Sequence, residues 1–385
     1  MRDEGLVTEA ARVGEETAAK WAAEVDSDGR FPAETVAELR RSGLLGALVP
    51  PAWGGPGASM PEVSAMVTAI ASHCGSSGLI LAMHQIQVAS LVRHASPAAL
   101  NELLPRVATG EILFANANSE VGLGGQRRAS ICALEATENG FHMEKDASTV
   151  SYGEFGDAVL ATARRDPQAP AHDQVLVVCI GSGFRLEPRG EWDSLGMRGT
   201  CSRPGSLVAD IPAELVIENY ADVFTRTSLP VSAVLLSAVW LGLAEAAGSR
   251  AHSFVRAQAK RNRRESGDVT PPSGALRLAE LVVPLYQMRE VVSSGALDYE
   301  RHKDTEEVGR LSFASRMENL KISSSLVVLD ITQRAMSICG LAGYMNGGPF
   351  SIGRIMRDAA SAPLMVSNDR SFLASAQTLL VRRSL

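Results

Sequence analysis

The stretch Ser337–Arg370 reads SICGLAGYMNGGPFSIGRIMRDAASAPLMVSNDR, and its reading decides the fold. A helical run ends at Cys339 and meets a turn, Gly340-Leu341-Ala342-Gly343-Tyr344. A short basic helix follows and finishes on Arg357-Asp358-Ala359. Seven residues beyond Ala359 stands Val366, and Ser367 to Val381 form the last helical run. The Val366 side chain is hydrocarbon only, so it can neither accept nor release a proton.

Working outward, the segments before this stretch are helical by the spacing of their apolar residues: Leu229 to Gln258, Ala275 to His302 and Ser312 to Cys339. Arg261 to Gly274, with two prolines and mixed charge, reads as a mobile loop. From Ile112 to about Ile217 the character is different. Short β-type runs (ASICALEAT, FHMEKDASTVSY, AVLATARR, QVLVVCI and GSLVADI) alternate with Gly, Asn and Asp turns. Residues 6 to about 110 are helical again: Leu6 to Val25, Ala33 to Gly43, Met60 to Ile70 and Leu79 to Arg93, with Gly75-Ser76-Ser77-Gly78 read as a break.

A chain of 385 residues can bury a substantial core and form two or three subdomains. Its 45% hydrophobic and 21% charged residues are ordinary globular values. A net charge of -6 argues against a nucleic-acid partner, because phosphate contacts need clustered Lys and Arg. The start, MRDEGLVTEAARVGEETAAKW, lacks the apolar core of an export signal. The longest apolar run, Val231 to Leu243, is broken by serines and Gly242, so no membrane span is expected and the chain reads as cytoplasmic. Five scattered cysteines with no CxxC pair suggest neither a disulfide framework nor a metal site.

The order of helices, β-module and helical bundle, taken with several local motifs, resembles the acyl-CoA dehydrogenase superfamily over essentially the whole chain. FPAETVAELRRSGLLGALVPPAWGG is similar to the family's early helix and loop. Ser119-Glu120-Val121-Gly122-Leu123-Gly124-Gly125-Gln126 resembles its Thr-Glu-Pro-Gly-x-Gly-Ser-Asp, and Thr149-Val150-Ser151 its Trp-Ile-Thr. Trp192 to Ser202 resembles the strand that closes the β-module. The resemblance implies an α+β fold: an N-terminal helical domain over residues 1–111, a central β-barrel-like domain over 112–218 and a C-terminal four-helix bundle over 219–385. It also implies FAD, with Asn116, Asn118, Ser119, Gly124, Gly125, Thr149 and Ser151 beside the flavin. Ser337, Gly340 and Leu341 would lie against the FAD of a neighbouring subunit, which implies a homodimer or homotetramer.

The departures from the pattern are as informative. The family's Arg-x-x-Phe-Gly, which clamps the FAD pyrophosphate, is missing; Gln258, Lys260 and Arg261 stand near its place. The family's Gln before the Gly-rich turn is Ser337 here. Its catalytic glutamate would sit at Val366, and the alternative seat on an earlier helix falls near Ser232, also without a carboxylate. Asp369 is the nearest acid, and with Asn368 it is either an acid-base pair or a helix cap. His84, in an apolar helical stretch, is either a group that bonds a substrate or a satisfied core histidine.

Two active readings and one inactive reading follow. The first is a monooxygenase similar to the flavin-dependent branch of the superfamily, using reduced flavin supplied by a reductase and oxygen on a small-molecule substrate. The second is a dehydrogenase of an acyl-CoA or acyl-carrier thioester whose base has moved. The third is a non-catalytic subunit of a heteromeric dehydrogenase.

Overall fold

The computed structural model describes residues 3–124, 126, 128–267 and 269–381. Helix α1 (Asp3–Val13) runs through a π-helical turn, Gly14–Ala18, into α2 (Ala19–Asp28). Then come α3 (Ala33–Arg41), α4 (Met60–Ala71), α5 (Gly75–His94) and α6 (Pro97–Ala108). α4 opens on a capping box in which Ser59 and Glu62 bond each other's backbone N–H groups. α5 is buried on all sides from Gly75 to Leu91, apart from Met83, so it crosses the middle of the core. Gly75-Ser76-Ser77-Gly78 is the first turn of α5 and not the break expected from composition. Tertiary contact explains this: a Cβ on Gly78 would lie 2.5 Å from that of Ala71, and one on Gly75 would lie 2.9 Å from Asp358 Oδ2.

The central segment holds β1 (Phe114–Ala117), β2 (Glu135–Thr137), β3 (Gly140–Ala147) and β4 (Ala158–Arg164). β5 (Gln174–Ile180), β6 (Phe184–Pro188), β7 (Gly205–Ile211) and β8 (Val216–Ile217) complete it. One sheet has the order β1-β4-β5-β8, with β1 parallel to β4; the other is the antiparallel β2-β3-β7-β6. β4 and β5 are buried at six of seven positions each, as their unbroken apolar sequences require, whereas β7 alternates. Of ASICALEAT only Glu135–Thr137 pairs as a strand. The Ile131 and Cys132 N–H groups donate instead to the Glu120 carboxylate, at 3.0 and 2.6 Å, which removes them from a ladder. Glu120 also accepts from Ser130 Oγ and pairs with Lys145 Nζ at 3.3 Å, with both charged side chains buried. Burial pushes the Glu120 pKa up, but the Lys145 ammonium and these donors outweigh it and hold the carboxyl below its ordinary value.

The chain then becomes helical again. α7 (Tyr220–Val223) passes through a second π-helical turn, Phe224–Ser228, into the long α8 (Leu229–Ser266). α9 (Gly274–His302) and α10 (Leu311–Cys339) pack on α8, and α11 (Leu341–Tyr344), α12 (Gly353–Ala360) and α13 (Asn368–Val381) follow. The expected loop at 261–274 is shorter than its charge suggested. Its Lys, Arg and Glu side chains are good helix formers on an exposed face, so α8 continues until Gly267 closes it at φ +69°. Contrary to the sequence expectation, the helical stretch Tyr220–Ser266 is long and apolar enough to cross a membrane. That stretch is the core helix of the bundle: 89% of its apolar window is buried inside the fold.

Candidate functional site

The site forms where the two sheets, α5, α8 and the segment after α12 meet. β1 ends at Ala117, and an isolated bridge between Asn116 and Ser151 draws the Thr149–Ser151 segment beside it. The Asn118 N–H donates to Asn116 Oδ1 at 3.3 Å. Ser119 Oγ donates to the Thr149 carbonyl at 3.0 Å and accepts from the Thr149 N–H at 3.1 Å. Tyr152 fixes the far end of this segment. It is fully buried in the left-handed conformation at φ 42°, its hydroxyl donates to the Phe114 carbonyl at 2.9 Å, and its N–H donates to the Thr200 carbonyl. A hydroxyl chain continues from there: Ser202 Oγ donates to Ser151 Oγ at 2.8 Å, and Thr200 Oγ1, 2.9 Å from Ser202 Oγ, donates to the Met197 carbonyl.

The opposite wall is the Trp192–Met197 loop, which Asp358 of α12 holds in place. Its Oδ1 accepts the Met197 N–H at 2.6 Å. Gly196 is pressed against the Arg357 carbonyl so closely that a Cβ would collide with it. Burial pushes the Asp358 carboxyl up to about 6; Arg354 and the Met197 N–H oppose that rise only in part.

The cavity measures ≈ 530 Å³. Its β-side wall carries Asn116, Asn118, Ser119, Thr149 and Ser151, and its helical wall carries Leu79, Met83, Ile86 and Leu236 with Gln87, Ser228 and Ser232. Val366 lines it too. Among the described lining residues there is no Asp, Glu, His or Lys. The one guanidinium, Arg357, is paired with Asp26. The four non-glycine residues with positive φ among the described residues are Tyr152, Met197, Cys201 and Val366. Met197 and Val366 line the cavity, and Tyr152 and Cys201 adjoin residues that do. Such backbone costs about 1–3 kcal/mol each and persists where surrounding structure imposes it, typically at functional sites. The π-helical turn Phe224–Ser228 also supplies two lining side chains, Phe224 and Ser228.

The acid-base candidates from sequence do not gather here. His84 is a fully buried core histidine and does not line the cavity. Its Nδ1 accepts the Phe114 N–H at 3.0 Å, so Nε2 carries the proton and donates to the Leu45 carbonyl at 2.9 Å. Burial lowers its pKa to about 4, which keeps the ring neutral. Asp369 is exposed at the start of α13, away from the cavity. Asn368 is buried, and its side chain ties α13 to α10: Oδ1 accepts from Lys321 Nζ at 2.7 Å and Nδ2 donates to Ser325 Oγ at 3.0 Å. Ser337 is exposed in the last turn of α10, where its hydroxyl donates to the Gln333 carbonyl, and Gly340 and Leu341 are exposed just beyond the helix end. Gly124 is in a turn beside Arg370, outside the lining, and Gly125 lies outside the described residues.

Sequence reasoning missed Gln87, Tyr220 and Phe224 in the wall. Gln87 is on a helix with no exposed face, Tyr220 precedes a π turn and Phe224 begins it, so none of these positions breaks a periodic pattern. The residues present fit the flavin that the resemblance implies. A row of hydroxyls and amides faces an apolar helical wall across one cavity, and the buried Asn118 Oδ1 has no hydrogen-bond partner among the described residues.

Residues 2–111 match the family "Acyl-CoA dehydrogenase, N-terminal domain", and residues 222–365 match "Acyl-CoA dehydrogenase, C-terminal domain". The chain is similar to the probable acyl-CoA dehydrogenase FadE25 of Mycobacterium tuberculosis, at 25% identity over 90% of this chain and 87% of the relative. It is also similar to the dibenzothiophene monooxygenase of Mycolicibacterium goodii, at 28% identity over 64% of this chain and 63% of the relative. In fold it resembles the crystal structure of FMN-bound TdsC from Paenibacillus sp. A11-2, with a TM-score of 0.82 and 22% identity over 98% of each chain. The chain belongs to the acyl-CoA dehydrogenase superfamily.

Proposed function

We propose that this protein is a flavin-dependent monooxygenase of the superfamily, acting on a small uncharged substrate with oxygen and reduced flavin from a separate reductase. One observation carries the reading: no carboxylate lines the cavity among the described residues, and the position seven residues past Ala359 is the isopropyl of Val366. α-Proton removal from a thioester needs a base within hydrogen-bond reach of that proton, and the described lining residues include no Asp, Glu, His or Lys. The similarity to dibenzothiophene monooxygenase and the missing Arg-x-x-Phe-Gly clamp support the same reading.

When bound, the flavin would supply the redox and oxygen chemistry. The chain's part is to bind and orient it through Asn116, Asn118, Ser119, Thr149 and Ser151, and to keep water out with the apolar helical wall. The turn at Gly340–Tyr344 supports the reading as a homodimer or homotetramer: Leu341 is 75% exposed and Tyr344 73%, an apolar surface suited to a second copy.

The test is rapid mixing of the anaerobically reduced flavin complex with oxygen. The expected result is a transient whose spectrum is neither reduced nor oxidised flavin, with no flavin reduction by butyryl-CoA. Anaerobic bleaching of the oxidised flavin by butyryl-CoA would overturn the reading in favour of a dehydrogenase. The longer match to FadE25 favours that second reading.

A further inference from the structure

Behind Val366 and Ser232 lies a second, smaller cavity of ≈ 20 Å³, enough for about one water molecule. Ser232, Leu236 and Val366 line both cavities and form the partition between them. The far side of the small cavity is formed by Glu318 and Lys321 of α10 with Ser371 of α13. A carboxylate therefore stands one thin wall from a reaction cavity whose described lining has none.

We propose that Glu318 is the terminus of a proton relay that serves the main cavity through the Ser232 hydroxyl and one water in the small cavity. The inference rests on the main cavity being the reaction site. Among its described lining residues there is no Asp, Glu, His or Lys to take or give a proton. Ser232 is the hydroxyl shared by the two cavities, and it can accept a proton on one side while donating on the other. Each transfer is balanced. A proton leaves its donor in the main cavity for Ser232 Oγ, the Ser232 proton passes to the water, and a water proton passes to the Glu318 carboxylate, which becomes neutral. The reverse order delivers a proton.

The surroundings suit this role. Glu318 is half-buried, so it can exchange its proton with solvent. Lys321, one turn along the same helix, is 3% exposed and donates to the Val366 carbonyl and to Asn368 Oδ1, which fixes its charge at the edge of the small cavity. Among the described lining residues of that cavity, Lys321 is the other charged group. α8 and the 366–371 segment contribute hydroxyls and apolar groups, and α9 and α12 contribute no described side chain.

A flavin-independent measurement comes first. With Ser232→Cys, the introduced thiol sits in the partition, and its alkylation rate against pH reports its apparent pKa. Adding Glu318→Gln should lower that pKa by about half a unit or more, since a nearby negative charge is removed. An unchanged value would overturn the relay. The second measurement is reoxidation of the bound reduced flavin by dissolved oxygen, followed against pH. Glu318→Gln should remove one ionisation from the profile and slow the reaction on the order of tenfold. Glu318→Asp should restore that ionisation, with unfolding midpoints unchanged in both variants. A profile identical to that of the unsubstituted protein would also refute the proposal. If no flavin binds, the oxygenase reading fails, while the thiol titration still decides whether Glu318 and Ser232 are coupled.

Discussion

Asp358→Asn tests how the cavity wall is held. Asp358 is 3% exposed and accepts the Met197 N–H, and its folded pKa of about 6 stands above the ordinary 3.8. The folded state therefore binds this proton more tightly than the unfolded state. The stabilising contribution is fully present below pH 3.8 and is lost as pH rises through 6. The rise from 3.8 to about 6 corresponds to roughly 3 kcal/mol across the whole window, and about 1.4 kcal/mol of it falls between pH 5 and pH 7.5. Asparagine keeps a carbonyl oxygen for the Met197 N–H and has no proton to lose. Urea unfolding of both proteins at pH 5 and pH 7.5 gives the comparison. The unsubstituted protein should lose about 1.4 kcal/mol more than Asp358→Asn on going to the higher pH. Equal pH dependence would show that Asp358 titrates normally, and the account of its burial as the dominant influence would be wrong.

Further predictions concern the backbone supports and the empty seat. Lys145→Met leaves the buried Glu120 carboxylate without its cation and should destabilise the fold by about 3–5 kcal/mol, whereas adding Glu120→Gln should recover much of that loss in thermal unfolding. Tyr152→Phe removes the hydroxyl that donates to the buried Phe114 carbonyl and should cost about 1–3 kcal/mol by denaturant titration. Val366→Glu places a carboxylate in the cavity wall and should raise butyryl-CoA-dependent dye reduction on the order of 10²-fold; no gain would show that this position does not reach the reacting carbon.

Much of the fold was legible in the sequence. Amphipathic spacing marks α3, α9 and α10, and the apolar runs VLATA and VLVVC mark β4 and β5, because burial of one face or of a whole strand imposes its period on the residues. The missing carboxylate at residue 366 is also a fact of sequence, since a side chain's chemistry travels with its position. Tertiary structure decided what lies near what. The first turn of α5 is helical because Ala71 and Asp358 press on its glycines, a contact that no local propensity encodes. His84 is a core residue because Leu45 and Phe114, remote in the chain, take both its ring nitrogens. Glu318 stands behind Ser232 and Val366 only once α10, α8 and the segment before α13 have packed. Periodicity reports which face of an element is buried; which titratable group shares a wall with which cavity is fixed by packing between elements.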